Sequence, residues 1–511
     1  MKQQADRARP GPLSGVRVLD MTSVVMGPYA TQILAELGAD VIKVESREGD
    51  NMRHVGPMKN PGMGHIFLHA NAGKRSIALD LKADDGREAV LKLAEGCDVL
   101  VSNVRPKAMA RLGLHYEAVK ERSPGIIYVN CCGFDQDGPD AARPAYDDLI
   151  QGATGVPWLM QQYGAPEPIY APTTLCDRVT GLHAVYAVTA ALYARSQTGQ
   201  GQSVSVPMFE SMSQFILGDH MAGLSFDPPR GEPGYARLLT PHRKPYATRD
   251  GRLCVLIYND KHWRSFFEAI GESEGLGADP RFATHGARAA HIDAVYAEVS
   301  RIMRTRTTAE WRALLDAADV PNMPMNSPAD LLANAQLRAT GFLRQTLHPT
   351  EGLLHVMAPP TKWSATPPER EPAPAPRLGE HTVELLREAG YSDAAVRGLL
   401  ASGACTAPGN PPWNPNTSSP ARTSRATGPP ITTTRAISAS SARKPRAHAR
   451  WRWCSAPCRR VAAHCRTRTR ASSRPAICWR ARRMSRWRAK PSTWRPATPA
   501  SFRPTPCTSS R

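Results

Sequence analysis

The residues placed to bind or react lie in four short segments: Thr22–Gly27, Glu45–Asp50, Asn103–Arg105 and Cys131–Asp137. Each follows a run that reads as a β-strand, and in open parallel sheets ligands sit beyond the carboxyl ends of the strands. No GxGxxG follows the first strand, so a nicotinamide dinucleotide site is not supported. Five cysteines in the first 400 residues (Cys97, Cys131, Cys132, Cys176, Cys254) lack CxxC spacing and read as thiols of a reducing compartment. Cys454, Cys458, His464 and Cys465 could ligate zinc only in principle; without a paired knuckle no metal is assigned. Asp177 heads a run of small residues, and its local sequence alone reads as a helix N-cap.

The elements that must position these segments alternate. Gly15–Asp20 reads as a strand, Pro28–Leu37 as a helix stopped at Gly38, and Val41–Glu45 as the next strand. Further strands are expected at Ser76–Leu81, Asp98–Ser102 and Ile126–Asn130, with a helix over about 86–95. This βα alternation predicts an α/β fold with a largely parallel sheet covered by helices on both faces. A long helix is expected over about 178–195. Its small residues (Gly181, Ala184, Ala187, Ala191) would let it approach other backbones closely. A short strand, Ser203–Pro207, follows. Beyond about 222 the pattern changes. Asp227–Gly234 reads as a linker, Asp250-Gly251 as a hairpin turn, and helices are expected at Lys261–Ile270, His291–Arg304 and Thr308–Ala318. The expected organisation is a large domain over 11–221, a small inserted α+β domain over 222–325, a return to the large domain over 326–403, and a tail over 404–511.

Charge separates that tail from the rest. The 511 residues carry a formal +20, yet residues 401–511 hold 23 Lys and Arg and no Asp or Glu, while residues 1–400 hold 42 basic against 45 acidic side chains. Any polyanion-binding field therefore belongs to the tail. Its Arg, Pro, Ser, Thr, Cys and Trp are what GC-rich DNA encodes out of frame. The composition favours an unselected, disordered extension over a nucleic-acid-binding arm. No apolar run reaches the 18 residues of a membrane span, and no signal peptide is seen at Met1–Arg7.

Four blocks, in order, carry a resemblance. They are Leu13–Asp20 with Gly27-Pro28 and Leu37–Glu45; Asn71–Ile77 with Asn103 and Arg111–Gly113; Asp177–Gly181 through Arg195 and Thr198–Gln202; and Leu378–Thr382. Over about residues 11–403 the sequence resembles the class III CoA-transferase family, which includes formyl-CoA transferase, carnitine CoA-transferase and alpha-methylacyl-CoA racemase. The resemblance implies a Rossmann-like large domain, an interlocked homodimer, no tightly bound cofactor, and coenzyme A thioesters and carboxylic acids as substrates; the unpaired thiols point to the cytoplasm. No membrane or nucleic-acid partner is expected.

The resemblance implies Asp177 as the nucleophile, because an acyl exchange through an anhydride needs a carboxylate. It places CoA against Val25, Met26, Leu79, Lys82, Asn103, Val104, Arg105, Arg111, Tyr146 and Asp147, and puts Arg53 and Arg75 among the cations at or near its phosphates. Tyr146 stands where the racemase branch carries a catalytic histidine, and tyrosine cannot easily serve as a neutral-pH base. That favours CoA transfer; an acyl-CoA racemase is the alternative, and a nucleic-acid-binding protein built on the tail the third reading. Val25 stands where formyl-CoA transferase has Gln, Ser46 where it has Arg, and its glycine-rich active-site loop is not found between 222 and 262. Another carboxylic acid is thus expected as acceptor, with succinyl-CoA or a similar thioester as donor.

Overall fold

Runs of Val, Ile and Leu with both faces buried build the central sheet, as parallel sheets require. In the computed structural model, which describes residues 10–369, 371 and 373–408, six parallel strands lie in the order β3-β2-β1-β4-β5-β6. They are β1 (Arg17–Met21), β2 (Asp40–Glu45), β3 (Arg75–Leu79), β4 (Val99–Ser102), β5 (Ile127–Cys132) and β6 (Gln202–Pro207). The strand order reverses between β1 and β4, so their carboxyl ends border the crevice where such sheets bind ligands. Within one or two residues at most ends, these are the strands expected from the sequence.

Alternate residues feed two cores. Leu19, Ile42, Ile77 and Leu100 face one side, packed with Leu385, Leu386, Val396 and Leu399 from two C-terminal helices (Thr382–Glu388, Asp393–Ser402). Val18, Val41, Val99 and Ile127 face the other, under the first helix (Met26–Glu36) and the long helix (Leu175–Thr198). A third core is separate. Trp263, Phe266, Phe267, Phe282, Val295 and Trp311 pack against the small antiparallel sheet of β7 (Tyr246–Ala247), β8 (Arg252–Val255) and β9 (Asn322–Pro324). A hairpin, β10 (Leu343–His348) and β11 (Gly352–Met357), stands apart from both sheets.

The ordered backbone does not stop at 403. Cys405–Thr406 forms β12, antiparallel to β3, and closes the sheet edge. Ala404 accepts from the Asp80 amide at 2.8 Å, and the Cys405 side chain is buried. Composition assigned Cys405 to the tail; its burial in the core and its pairing with Leu79 put it in the fold. The remainder of the expected disordered tail, from 409, lies outside the described residues. A chain ending at Pro408 is expected to match the full chain in thermal midpoint. One ending at Gly403 should melt a few degrees lower, because about 2 kcal/mol of edge pairing and apolar burial is lost. Equal midpoints for the two truncations would refute this role for β12.

Candidate active site

The loop after β1 is pinned from three directions. The Asp20 carboxylate accepts from the Thr22 amide at 3.0 Å, Asp50 from the Val24 amide at 3.1 Å, and Asn103 from the Ser23 amide at 2.9 Å. Asn103 also donates to the Ser23 carbonyl at 2.8 Å, so its amide stitches the β4 end to the β1 loop across the switch point. Val24 is held at φ 73°, a left-handed conformation that costs a β-branched residue energy and persists only when its surroundings enforce it.

Under the loop lies a buried electrostatic lattice. The Lys74 ammonium donates to Asp20 at 2.9 Å, Thr31 at 2.7 Å, Asn71 at 2.8 Å and the Pro28 carbonyl at 3.0 Å. Lys43 reaches Asp50 and the Thr22 carbonyl. Arg53 grips Glu45 with two nitrogens at 2.7 Å and stacks on Phe67. Three cations meet three carboxylates, all buried. Burial works against an ionised Asp20, but Lys74 and Lys43 outweigh it and hold the carboxyl below its usual range. Burial pushes Lys74 down to about 8 despite Asp20.

Two arginines expected at or near the CoA phosphates are engaged elsewhere. Arg53 is buried rather than at an exposed rim, its guanidinium engaged by Glu45 and the Pro376 carbonyl. Arg75 opens β3 at its amino end, opposite the ligand side, and pairs with Asp40, Glu384 and Glu388. The other expected contacts divide. Lys82 and Arg105 are exposed just beyond the carboxyl ends of β3 and β4, and Arg111 is exposed at the end of the helix Pro106–Arg111 that follows β4. Val25 and Met26 are buried where the first helix begins, and Val104 is half-buried beside Asn103. The Leu79 side chain lies in the core facing the C-terminal helices. Tyr146 is 65 % exposed and stands at the N-cap of a short helix, Asp147–Ala153.

Asp177 does not precede the long helix, as its local sequence suggested. The helix begins at Leu175, and Asp177 occupies the third position of its first turn. The residue at the cap, Thr174, makes no side-chain bond. The Asp177 amide instead donates to Asp147 at 3.0 Å, across 30 residues of sequence. One turn on, Gly181 lets the long helix touch the first: a Cβ there would lie 2.9 Å from both the Met26 carbonyl and the Tyr29 ring. The long helix thereby sets Asp177 one turn from the residues that end the β1 loop.

The Asp177 side chain is 8 % exposed and has no ion-pair partner among the described residues. Burial, then the like charge of Asp147, pushes its carboxyl up to about 7; Arg178 offsets only part of this. Arg178 itself lies over the Tyr29 ring. The neighbouring thiol is no rival nucleophile, since burial, reinforced by the acids around it, pushes Cys176 up to about 12. A cavity of about 890 Å³ runs along another flank of the long helix, lined by Arg178, Leu182, Val185 and hairpin residues, but Asp177 does not line it. Among the described residues no group of three or more His, Cys, Asp or Glu is placed to hold a metal, and no helix is long and apolar enough to cross a membrane.

Comparison with known proteins places this arrangement. Residues 13–382 match the model of CoA-transferase family III. The chain is 35 % identical over 398 residues to the succinate–glutarate CoA-transferase of Agrobacterium fabrum, covering 74 % of this chain and 96 % of that one. It is 34 % identical over 425 residues to a formyl-CoA:oxalate CoA-transferase of Rhodopseudomonas palustris, covering 78 % and 98 %. A CAIB/BAIF family protein from Brucella suis superposes with a TM-score of 0.63 at 32 % identity, covering 75 % and 100 %. The chain therefore belongs to CoA-transferase family III and is an enzyme of that class.

Proposed function

We propose that the enzyme moves CoA from an acyl-CoA donor to a carboxylic acid, with Asp177 as the covalent relay. One observation carries this: Asp177 is a nearly buried carboxylate with no cation paired to it among the described residues, at the mouth of a helix, one turn from the β1 loop. An Asp177 oxygen attacks the thioester carbonyl; the C–O bond forms, the C–S bond breaks and CoA thiolate leaves. The thiolate attacks the Asp177 carbonyl of the mixed anhydride, releasing the donor acid and leaving an aspartyl-CoA thioester. The acceptor carboxylate repeats the two exchanges in reverse and restores Asp177, with no net proton transfer. Helix amides stabilise the oxyanions on the way. Lys82, Arg105 and Arg111 meet the CoA phosphates from the rim as exposed point charges or forks.

The donor is succinyl-CoA or a thioester of that size, and the acceptor a dicarboxylic acid of the glutarate type. The names of relatives, including the Agrobacterium enzyme and the mouse succinyl-CoA:glutarate CoA-transferase at 32 % identity, support that pair. So does apolar Val25 at the position that formyl-CoA transferase fills with Gln. The working form is a homodimer, whose partner would cover Leu182, Tyr186 and Tyr193, exposed along the long helix.

Purified protein incubated with succinyl-CoA and a panel of mono- and dicarboxylic acids in D₂O is expected to yield the CoA ester of a dicarboxylic acid. No deuterium should enter at the α-carbon. Deuterium at that carbon without transfer would overturn the reading in favour of a racemase.

A further inference from the structure

We propose that Gln151 is a positioning residue for acyl transfer: its buried amide fixes the Asp147 carboxylate and the 171–174 loop, and so aims the first turn that carries Asp177. The inference rests on Asp177 being the nucleophile.

Gln151 lies one turn after Asp147 on the short helix, so the two side chains share a face. It is fully buried. Its Nε2 donates to Asp147 Oδ2 at 2.7 Å, to the Thr173 carbonyl at 3.2 Å and to the Ala171 carbonyl at 3.4 Å. Its Oε1 accepts from the Ala171 amide at 2.9 Å. Both ends of the amide are therefore used, and three of its four contacts fall on the strand of chain that leads into the long helix. Asp147 Oδ2 takes the Gln151 bond, and Oδ1 takes the Asp177 amide.

This supplies what the long helix lacks locally. The first amides of a helix are orphan donors; the Thr174 side chain caps none of them, and the Leu175 amide turns back to the Thr173 carbonyl at 2.8 Å. The Asp177 amide is satisfied from another helix, by a carboxylate whose own orientation depends on Gln151. Near Asp177 the charged groups are Asp147 on the short helix and Arg178 on its own, with Asp148 in electrostatic reach of the adjoining Cys176. Without Gln151, Asp147 is free to swing and the loop loses three anchors, so the nucleophile keeps its chemistry but loses its aim.

The test is steady-state kinetics of Gln151→Leu, Gln151→Glu and Asp147→Asn across pH, with Asp177→Asn as reference. Gln151→Leu is expected to lower kcat by about 10- to 100-fold while KM for the acyl-CoA changes less than about 3-fold, the signature of misplacement. Its ascending pH limb should move to lower pH, because the released Asp147 carries its charge away from Asp177. In the Asp147→Asn background, Gln151→Leu should move that limb no further. Gln151→Glu keeps the shape and the Ala171 bond but turns a charge on Asp147, so it should lose kcat at pH 8 even if the Leu variant fails to fold. Parent kcat and an unmoved limb in Gln151→Glu, or in a folded Gln151→Leu, would refute the positioning role. An active Asp177→Asn would instead remove the nucleophile on which it rests.

Discussion

Asp177→Asn is expected to abolish CoA transfer and, above pH 7, to make the protein more stable. Both results follow from one side chain. An amide cannot form the anhydride, so turnover should fall by about four orders of magnitude or more. The stability gain has a definite sign. Burial, then the Asp147 charge, raises the folded-state carboxyl to about 7, above its unfolded value. Between the two values the folded chain holds a proton that the unfolded chain has released, so stability falls as pH rises through that window. At pH 8 the whole penalty is present. The shift corresponds to at most about 4 kcal/mol; the favourable helix terminus reduces this, leaving on the order of 2 kcal/mol. Asn avoids the penalty with nearly the same shape. Thermal midpoints at pH 8 and pH 5 check it: the variant should lead at pH 8, and its lead should shrink to less than half at pH 5. A variant destabilised equally at both pH values would show that Asp177 is an ordinary structural cap.

The cap reading of Asp177 was reasonable from local sequence, and the reason it misplaces the helix start is physical. Helix starts are read from side chains that bond amides two or three residues on, and here that bond comes from Asp147, 30 residues back. Strand positions were legible because β1 to β5 stay rich in buried Val, Ile and Leu even where Asp20, Lys43 or Glu45 interrupts them, a local pattern that needs no knowledge of distant partners. The basic residues were not. Arg53 and Lys82 look alike as letters, but Glu45 and the Pro376 carbonyl meet only one of them. Arg75 is answered by Glu388, 313 residues away. Gln151 had a readable cue, its i+4 spacing from Asp147, yet nothing local says that it also holds Ala171 and Thr173. The hairpin β10–β11 carries no clear inside-outside pattern, because both strands expose apolar side chains, Leu347 at 74 % and Leu353 at 62 %. Cys405 was grouped with the tail by composition, although one short antiparallel pairing makes it part of the sheet.

Lys74→Met should cost about 3–5 kcal/mol, the price of stranding a buried carboxylate. Lys74 and Asp20 have fully buried side chains 2.9 Å apart. Methionine fills the volume but supplies none of the four hydrogen bonds, and Asp20 keeps only its hydroxyl and amide donors. Denaturant unfolding should show the midpoint fall, and the β1 loop, tied to Asp20 through Thr22, should become more open to hydrogen exchange. The double variant Asp20→Asn/Lys74→Met removes the stranded charge and is expected to recover roughly half of the loss. If the two substitutions simply add, or if Lys74→Met unfolds at the parent midpoint, the lattice does not bear on stability. The contrast with Asp177 explains why this matters for function. Asp20, Glu45 and Asp50 are each answered by Lys74, Arg53 or Lys43, and burial is thereby made tolerable. Asp177 is almost as deeply set, yet beside Arg178 its near charges include the acid Asp147, and among the described residues no cation forms an ion pair with it. Where Asp20, Glu45 and Asp50 are held ionised by partnered cations, Asp177 is buried beside the like charge of Asp147, and under the proposed mechanism that leaves its oxygen pair available to react.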